Sequence, residues 1–356
     1  MTGRWPVAIT GTLLAVIYVA VIMSNADWDP TAVLAIGADS GAQLEYAERV
    51  LGHKVSTRPD LGHDGRFFFI LANDPLLLAP QQHASFLDLP TYRAQRVLYP
   101  FLAGGLGLLS AGPTVWGLII VNLVAAGLGT YATATVARIL GANQWLGVAF
   151  IINPGVIAEL DIDGGGVLAL ALGMLGLAMV LQGRDSWATV SFTGAVLARE
   201  TMLLFVGGIL VSLWLRRRPF RPVVVAVPVL GAIAWRVYTG IRLSAVESSA
   251  VTSEGFFRAF ELVPLSGAIE ASAHWTEDPT RLIWILSLLA IVLLFMRRGW
   301  SSRSVVAWSA WPFALLLLFL SAAVWIEPYD IARAVAPVFV AYPLLLFAKE
   351  SLVTSS

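Results

Sequence analysis

Two arginines stand three residues apart in TYRAQRVLYP, residues 91–100. On a helix that spacing puts Arg93 and Arg96 on one face, with Tyr92 and Tyr99 flanking them. Paired guanidinium forks suit a phosphate; the same residue types also anchor helices at a membrane edge. Upstream, HDGRFFFILANDP at residues 63–75 sets Asp64 beside Phe67, Phe68 and Phe69. A carboxylate against aromatic rings is partly desolvated, which raises its pKa and suits it to remove a proton. The apolar residues after it can anchor the segment in lipid and hold the carboxylate at a set depth. Asp64 also stands where the N-cap of a helix over 65–72 belongs. Gly65 fits a tight turn or close approach by a substrate, and His63 is placed to tune its neighbour.

Other charged groups gather at the ends of apolar runs. Arg199 and Glu200 lie between two short runs, where Arg199 meets an anionic headgroup or pairs with a neighbour. In WIEPYDIARAVAP the residues Glu327, Tyr329, Asp330 and Arg333 open the final run, with Arg333 one turn in. Glu159, Asp161 and Asp163 form the turn ELDIDGGG. Asp161 and Asp163 there can hold a divalent ion with a diphosphate donor, or simply make a solvated turn. Gly164, Gly165 and Gly166 are not a phosphate loop, because no strand precedes them and no GK[ST] follows. The four histidines, His53, His63, His83 and His274, have no metal-ligand spacing. The expectation is therefore no cofactor, with a metal at Asp161 and Asp163 as the lesser alternative. The chain has no cysteine, which removes disulfides, thiolate metal sites and thiol nucleophiles.

The elements that carry these groups are membrane helices. Hydrophobic residues make up 58% of the 356 and charged residues only 13%. Apolar runs near the ~20 residues needed to cross a bilayer recur from end to end. The first, 7–24, reads as an uncleaved span. A polar loop over 25–95 follows, with an amphipathic helix at 41–51 expected to lie on the membrane surface. Further runs occupy 97–110, 114–138, 144–159, 164–182, 187–198, 201–215, 222–241, 282–296, 305–325 and 332–348. A second loop covers 242–281, where Phe256, Phe257 and Phe260 suggest contact with the membrane.

Placing the arginine-rich turns at Arg138, Arg184, Arg216–Arg218 and Arg297–Arg303 in the cytoplasm leaves only Asp185 and Glu350 of the acidic residues inside. The outer face is then where carboxylates work. This parity makes 187–215 a pair of short helices whose tip sits below the surface, and makes 97–110 re-entrant or surface-lying. The expected fold is all-α: one polytopic membrane domain of about ten spans, both termini cytoplasmic. Arginine in place of lysine, with abundant Ala and Gly, reads as a GC-rich bacterial genome, hence a bacterial plasma membrane.

With these residues in view, the chain resembles the GT-C superfamily of integral-membrane glycosyltransferases. HDGRFFFILANDP is similar to an Asp-Gly-x-Phe/Tyr-Tyr-x-x-Ala stretch of bacterial members. YRAQRVLYP resembles the Tyr-Arg-x-Gln-Arg-hydrophobic-x-Tyr-Pro that follows it, and LARET at 197–201 resembles a short-helix tip with a basic residue. The resemblance implies a polyprenyl-phosphate-linked sugar as donor, an outer acceptor of unspecified class, and inverting transfer. Carried over, Asp64 is the base, and Arg93, Arg96, Arg199 and Arg333 hold the lipid phosphate. Glu200, Tyr92, Tyr329 and His63 complete the expected site. Asp27, Asp29 and Asp39 lie nearer the first span and are rival bases. The alternatives from other classes are a non-catalytic polyprenyl-phosphate binder or flippase, and an envelope-assembly scaffold.

Overall fold

The computed structural model describes residues 3–217, 221–246, 260–275, 277–302 and 304–348. Among these the protein is helical, with isolated bridges and no strand. Four helices are long and apolar enough to cross a membrane: Trp5–Ser24, Ala111–Ile139, Val223–Leu243 and Pro279–Ser302. Helices Pro328–Ala334 and Ala336–Phe347, bent by 67°, make a fifth span if taken together.

The first two long helices pack against each other through small residues. A side chain on Gly11 would collide with Thr130, and one on Gly127 with Thr12. Close backbone approach of this kind is how helices associate where lipid removes the usual hydrophobic drive.

The remaining apolar runs are shorter or broken. The run at 144–159 is cut by Asn153-Pro154 into a short 3-10 helix, Gln144–Phe150, and the helix Pro154–Asp161. Asn153 caps that helix by accepting from the Gly155 amide at 2.8 Å, and its own amide donates to the Ala336 carbonyl at 2.8 Å. The run at 97–110 contains only the helix Leu98–Ala103 and a single turn, Gly105–Gly107. The run at 305–325 divides into Val305–Leu316, a turn and Ala322–Ile326. Helices Asp185–Ala198 and Met202–Leu215, 14 residues each, are about 21 Å long at 1.5 Å per residue. That is less than the roughly 30 Å hydrocarbon layer. They are joined by Arg199-Glu200-Thr201, which is half-buried.

The first loop is folded onto the bundle. Bridges join Ile36 to Gly62 and Gly37 to Arg58, and the His63 amide donates to the Ala35 carbonyl at 2.9 Å. Arg58 then reaches across to Asp161, Nη1 to Oδ2 at 2.8 Å. Helix Gly65–Asn73 buries Phe67, Phe68, Phe69, Ile70, Leu71 and Ala72 in the protein core. These rings do not anchor the loop in lipid as the sequence suggested, because protein covers them: Phe67 meets Arg93, Phe68 packs edge-on to Tyr99, and Phe69 meets the amphipathic helix Ala42–Leu51. Tyr46 from that helix packs edge-on to Phe69 at 6.3 Å and bonds His83 through its hydroxyl at 2.6 Å. Its apolar face meets protein, where a membrane surface was expected.

Helix Val223–Leu243 holds the next part of the loop. Trp235 donates to the Ala94 carbonyl at 2.7 Å, and Arg242 Nε to that of Leu77 at 2.8 Å. Of the second loop, Phe256 and Phe257 lie outside the described residues. Helix Ser266–Trp275 is described, and Trp275 donates to the Trp325 carbonyl at 2.9 Å.

Candidate functional site

Asp64 occupies the N-cap position of Gly65–Asn73, yet its side chain makes no capping bond. It points away to arginines from two distant segments. Arg93 Nη1 donates to Oδ1 at 2.7 Å, and Arg333 Nη2 donates to Oδ2 at 2.6 Å. Arg96 Nη1 stands 3.8 Å from Oδ2. Gly65 lets this turn seat: a side chain there would strike the carbonyls of Leu34 and Ile162. Its open side therefore faces the protein's own backbone, not a substrate.

Each arginine is itself tied down. Arg93, at the end of the short helix Pro90–Arg93, forks onto Asp88 with Nε and Nη2, both at 2.9 Å, and its guanidinium lies 4.0 Å from the centre of the Phe67 ring. Arg96 forks onto Glu200, both bonds 3.1 Å, and donates to the Tyr92 hydroxyl at 2.6 Å. Arg199 Nη1 and Arg333 Nε share Glu159 Oε1, at 2.6 and 2.9 Å. Arg333 Nη1 also donates to Asp330 at 2.9 Å. Glu159 is 3% exposed, and its second oxygen accepts from the Gly166 amide at 2.9 Å. A side chain on Gly166 would strike the Glu159 carboxyl and Arg199. The glycines after Asp163 thus serve to wrap a buried carboxylate.

Asp64 and its arginines line one cavity of about 280 Å³. Asp64, Tyr92, Arg93, Arg96, Arg199, Glu200, Asp330 and Arg333 form its polar wall. Its apolar lining is Leu89, Phe260, Leu316, Leu320, Val324 and Ala334. The arrangement can take an amphipathic ligand, with its anionic group among guanidiniums and its chain along the apolar wall.

The electrostatics differ from the sequence expectation. Burial pushes the Asp64 carboxyl up, but Arg333, Arg93 and Arg96 outweigh it and hold the group well below the usual carboxylate range. It is ionised, but saturated with donors. Burial likewise opposes Glu200, and Arg96 holds it down.

Three sets of candidate residues lie apart from the cavity. Tyr329 and His63 do not line the cavity; they face each other, the hydroxyl 3.3 Å from Nε2 with the rings edge-to-face. His63 therefore turns toward Tyr329 and makes no hydrogen bond to Asp64. Asp161 and Asp163 do not converge on a metal position. Asp161 takes Arg58, while Asp163 turns inward to the Tyr99 hydroxyl at 2.6 Å and Asn122 Nδ2 at 3.0 Å. Among the described residues no cluster of three ligating side chains could hold a metal. Of the rival bases, Asp29 caps the turn after it through the Thr31 amide at 2.9 Å, and Asp27 and Asp39 are exposed.

Asp88 and the hub role of Glu159 were not foreseen. Their only sequence signal was an acidic residue near an arginine or a glycine run.

The chain matches no family model, no curated protein and no solved structure.

Proposed function

We propose that the protein is a glycosyltransferase of the bacterial plasma membrane with a GT-C-like layout. About ten crossings, counting short and broken helices, would carry a site open to the outer face. The donor is a polyprenyl-phosphate-linked sugar. One observation carries this reading: an acid from the first loop, two arginines from the segment after it, one from a short-helix tip and one from the last span share a cavity with an apolar wall.

In the proposed reaction the acceptor oxygen bonds to the anomeric carbon as the bond from that carbon to the phosphate oxygen breaks. Configuration inverts, and polyprenyl phosphate leaves. Arg93, Arg96 and Arg333 stabilise the charge the leaving group gains. Asp64 takes the proton of the acceptor hydroxyl.

In the resting site the same guanidiniums occupy Asp64. Donor binding must therefore exchange partners: phosphate takes arginine donors, and the carboxylate gains basicity as it loses them. Donor first and acceptor second is the order this coupling favours.

That saturation also supports a second reading, a non-catalytic polyprenyl-phosphate binder or flippase, in which Asp64 merely organises arginines. Purified full-length protein incubated with a panel of polyprenyl-phosphate sugars, reading released polyprenyl phosphate, separates the two. Under the enzyme reading Asp64→Asn lowers release by about 10²–10⁴-fold and leaves lipid-phosphate binding nearly unchanged, while Arg93→Ala and Arg96→Ala lose both. Release by Asp64→Asn at the wild-type rate would sink the catalytic role.

A further inference from the structure

The short pair Asp185–Ala198 and Met202–Leu215 borders a second cavity, of about 370 Å³, at the end away from Arg199 and Glu200. Its walls are apolar, with Ile139, Leu181, Phe192, Ile209 and Leu213 among them. Gly183 and Asp185 also line it, and among the described residues Asp185 is the only charged one that does. Water gains few hydrogen bonds from such walls, whereas a hydrocarbon chain is at home along them.

Arginines collect at that end. Arg221 brings Nε to 3.5 Å from Asp185 Oδ2, so its guanidinium stands at the edge of the cavity. Arg184 lies between Gly183 and Asp185 in the chain, and Arg138 precedes the lining residue Ile139; all three arginines are exposed. The contact of Arg221 with Asp185 is long and open to solvent, so it contributes little and yields readily to a stronger anion. Trp187 and Trp214, on the first and last turns of the same two helices, are exposed as well. Exposed tryptophan and arginine together mark the headgroup level of a bilayer.

We propose that this cavity holds an acyl chain of an anionic phospholipid, with Arg221 and Arg184 on its phosphate. Three exposed guanidiniums against one carboxylate favour an anionic headgroup over a zwitterionic one. In the proposed orientation this end is cytoplasmic, and the cytoplasmic leaflet is where anionic phospholipids concentrate. A chain bound there fills space between helices too short to span the hydrocarbon layer, and braces the pair that carries Arg199 and Glu200 at its other end. The inference uses the proposed orientation and not the glycosyltransferase reading.

The test is native mass spectrometry of detergent-purified full-length protein with four probes: dioleoyl phosphatidylglycerol, dioleoyl phosphatidylcholine, glycerol phosphate and farnesyl phosphate. Wild-type protein is expected to bind phosphatidylglycerol about tenfold or more tightly than phosphatidylcholine. Arg184→Gln combined with Arg221→Gln removes that preference and leaves phosphatidylcholine binding unchanged. Leu213→Trp, which fills the cavity, weakens both lipids. Glycerol phosphate does not compete, because it has no chain to bury. Phosphatidylglycerol raises the Tm of wild type and not that of the double variant.

Equal binding of the two phospholipids by wild type, or an unchanged preference in the double variant, overturns the proposal. So does undiminished binding by Leu213→Trp, which places the lipid elsewhere on the bundle. Should that variant not fold, the double variant, changed only at exposed positions, decides alone. Displacement of phosphatidylglycerol by farnesyl phosphate overturns the assignment and gives the cavity to an isoprenoid phosphate; competition by glycerol phosphate overturns it in favour of a simple anion site. Each of these results leaves the charged cavity around Asp64 and its proposed reaction untouched.

Discussion

Asp163 is buried without a cation. Its Oδ1 accepts from Tyr99 and Asn122, while its Oδ2 and the Asn122 Oδ1 both lack a partner. Burial pushes its carboxyl up to about 7, although the bonds from Tyr99 and Asn122 pull the other way. A proton on Asp163 turns a carboxylate with one idle oxygen into an acid with a hydrogen to donate. Because the folded-state pKa exceeds the unfolded one, folding takes up a proton. The stability this group lends is full below the ordinary aspartate range, declines as pH rises, and is gone above about 7. Thermal unfolding between about pH 5 and about pH 8 should show that decline in wild type, and Asp163→Asn, which carries the neutral group at every pH, should flatten it. The ion pair of Arg96 with Glu200 behaves differently. Removing Arg96 alone leaves a buried carboxylate uncompensated, at a cost of about 3–5 kcal/mol. Arg96→Leu with Glu200→Gln should therefore be more stable than the sum of the two single changes, by roughly 0.5–3 kcal/mol in a double-mutant cycle.

Among the elements, the turn from Glu159 to Gly166 matters most, because it sets the hub carboxylate between Arg199 and Arg333. Gly166→Ala places a methyl against that carboxyl. The expected result is a loss of about 1–3 kcal/mol, as for other overpacked sites, together with weaker phosphate binding. Gly207, in the helix Met202–Leu215, has nothing within 4 Å of where a methyl would go. Gly207→Ala should be neutral, or stabilising by about 0.5–1 kcal/mol, as expected for glycine replaced in a helix. Melting curves of the two variants side by side separate a packing requirement from a general intolerance of alanine. A Gly166→Ala variant as stable as Gly207→Ala would remove the argument that this turn is shaped around Glu159.

For the molecule as a whole, the two ends of the short-helix pair differ in kind. One end carries the charged cavity at Arg199 and Glu200. The other opens on an apolar cavity of about 370 Å³ bordered by Gly183, Asp185, Leu213 and Val224, beside exposed Arg184 and Arg217. The proposed topology puts these ends on opposite sides of the membrane. The absence of cysteine makes this direct to test with single introduced thiols. A thiol at Leu61, 63% exposed on the first loop, should react with a membrane-impermeant maleimide in intact cells. One at Arg184 should react only after permeabilisation. Labelling of both in intact cells would break the proposed orientation.

Local pattern made much of the helical architecture readable in advance. The first span, the amphipathic helix in the first loop, the short pair and the acid ahead of three phenylalanines all follow from runs and spacings a few residues long. Local pattern could not say which polar breaks cut an apolar run, so the 144–159 and 305–325 runs came out as fragments. Nor could it say what would cover the phenylalanines, since burial against lipid and burial against protein ask for the same residues. Partner choice was beyond it altogether. Arg333 and Asp64 are 269 residues apart and Arg199 and Glu159 are 40 apart, and no spacing rule links them. The protonation of Asp64 turned on those partners: the sequence showed desolvation, which raises a carboxyl, and folding supplied the guanidiniums that bring it down. Sequence set which groups exist and on which helices they stand, because helix periodicity is local. Tertiary structure alone decided which charges meet, because Coulomb energy depends on distance through space and not along the chain.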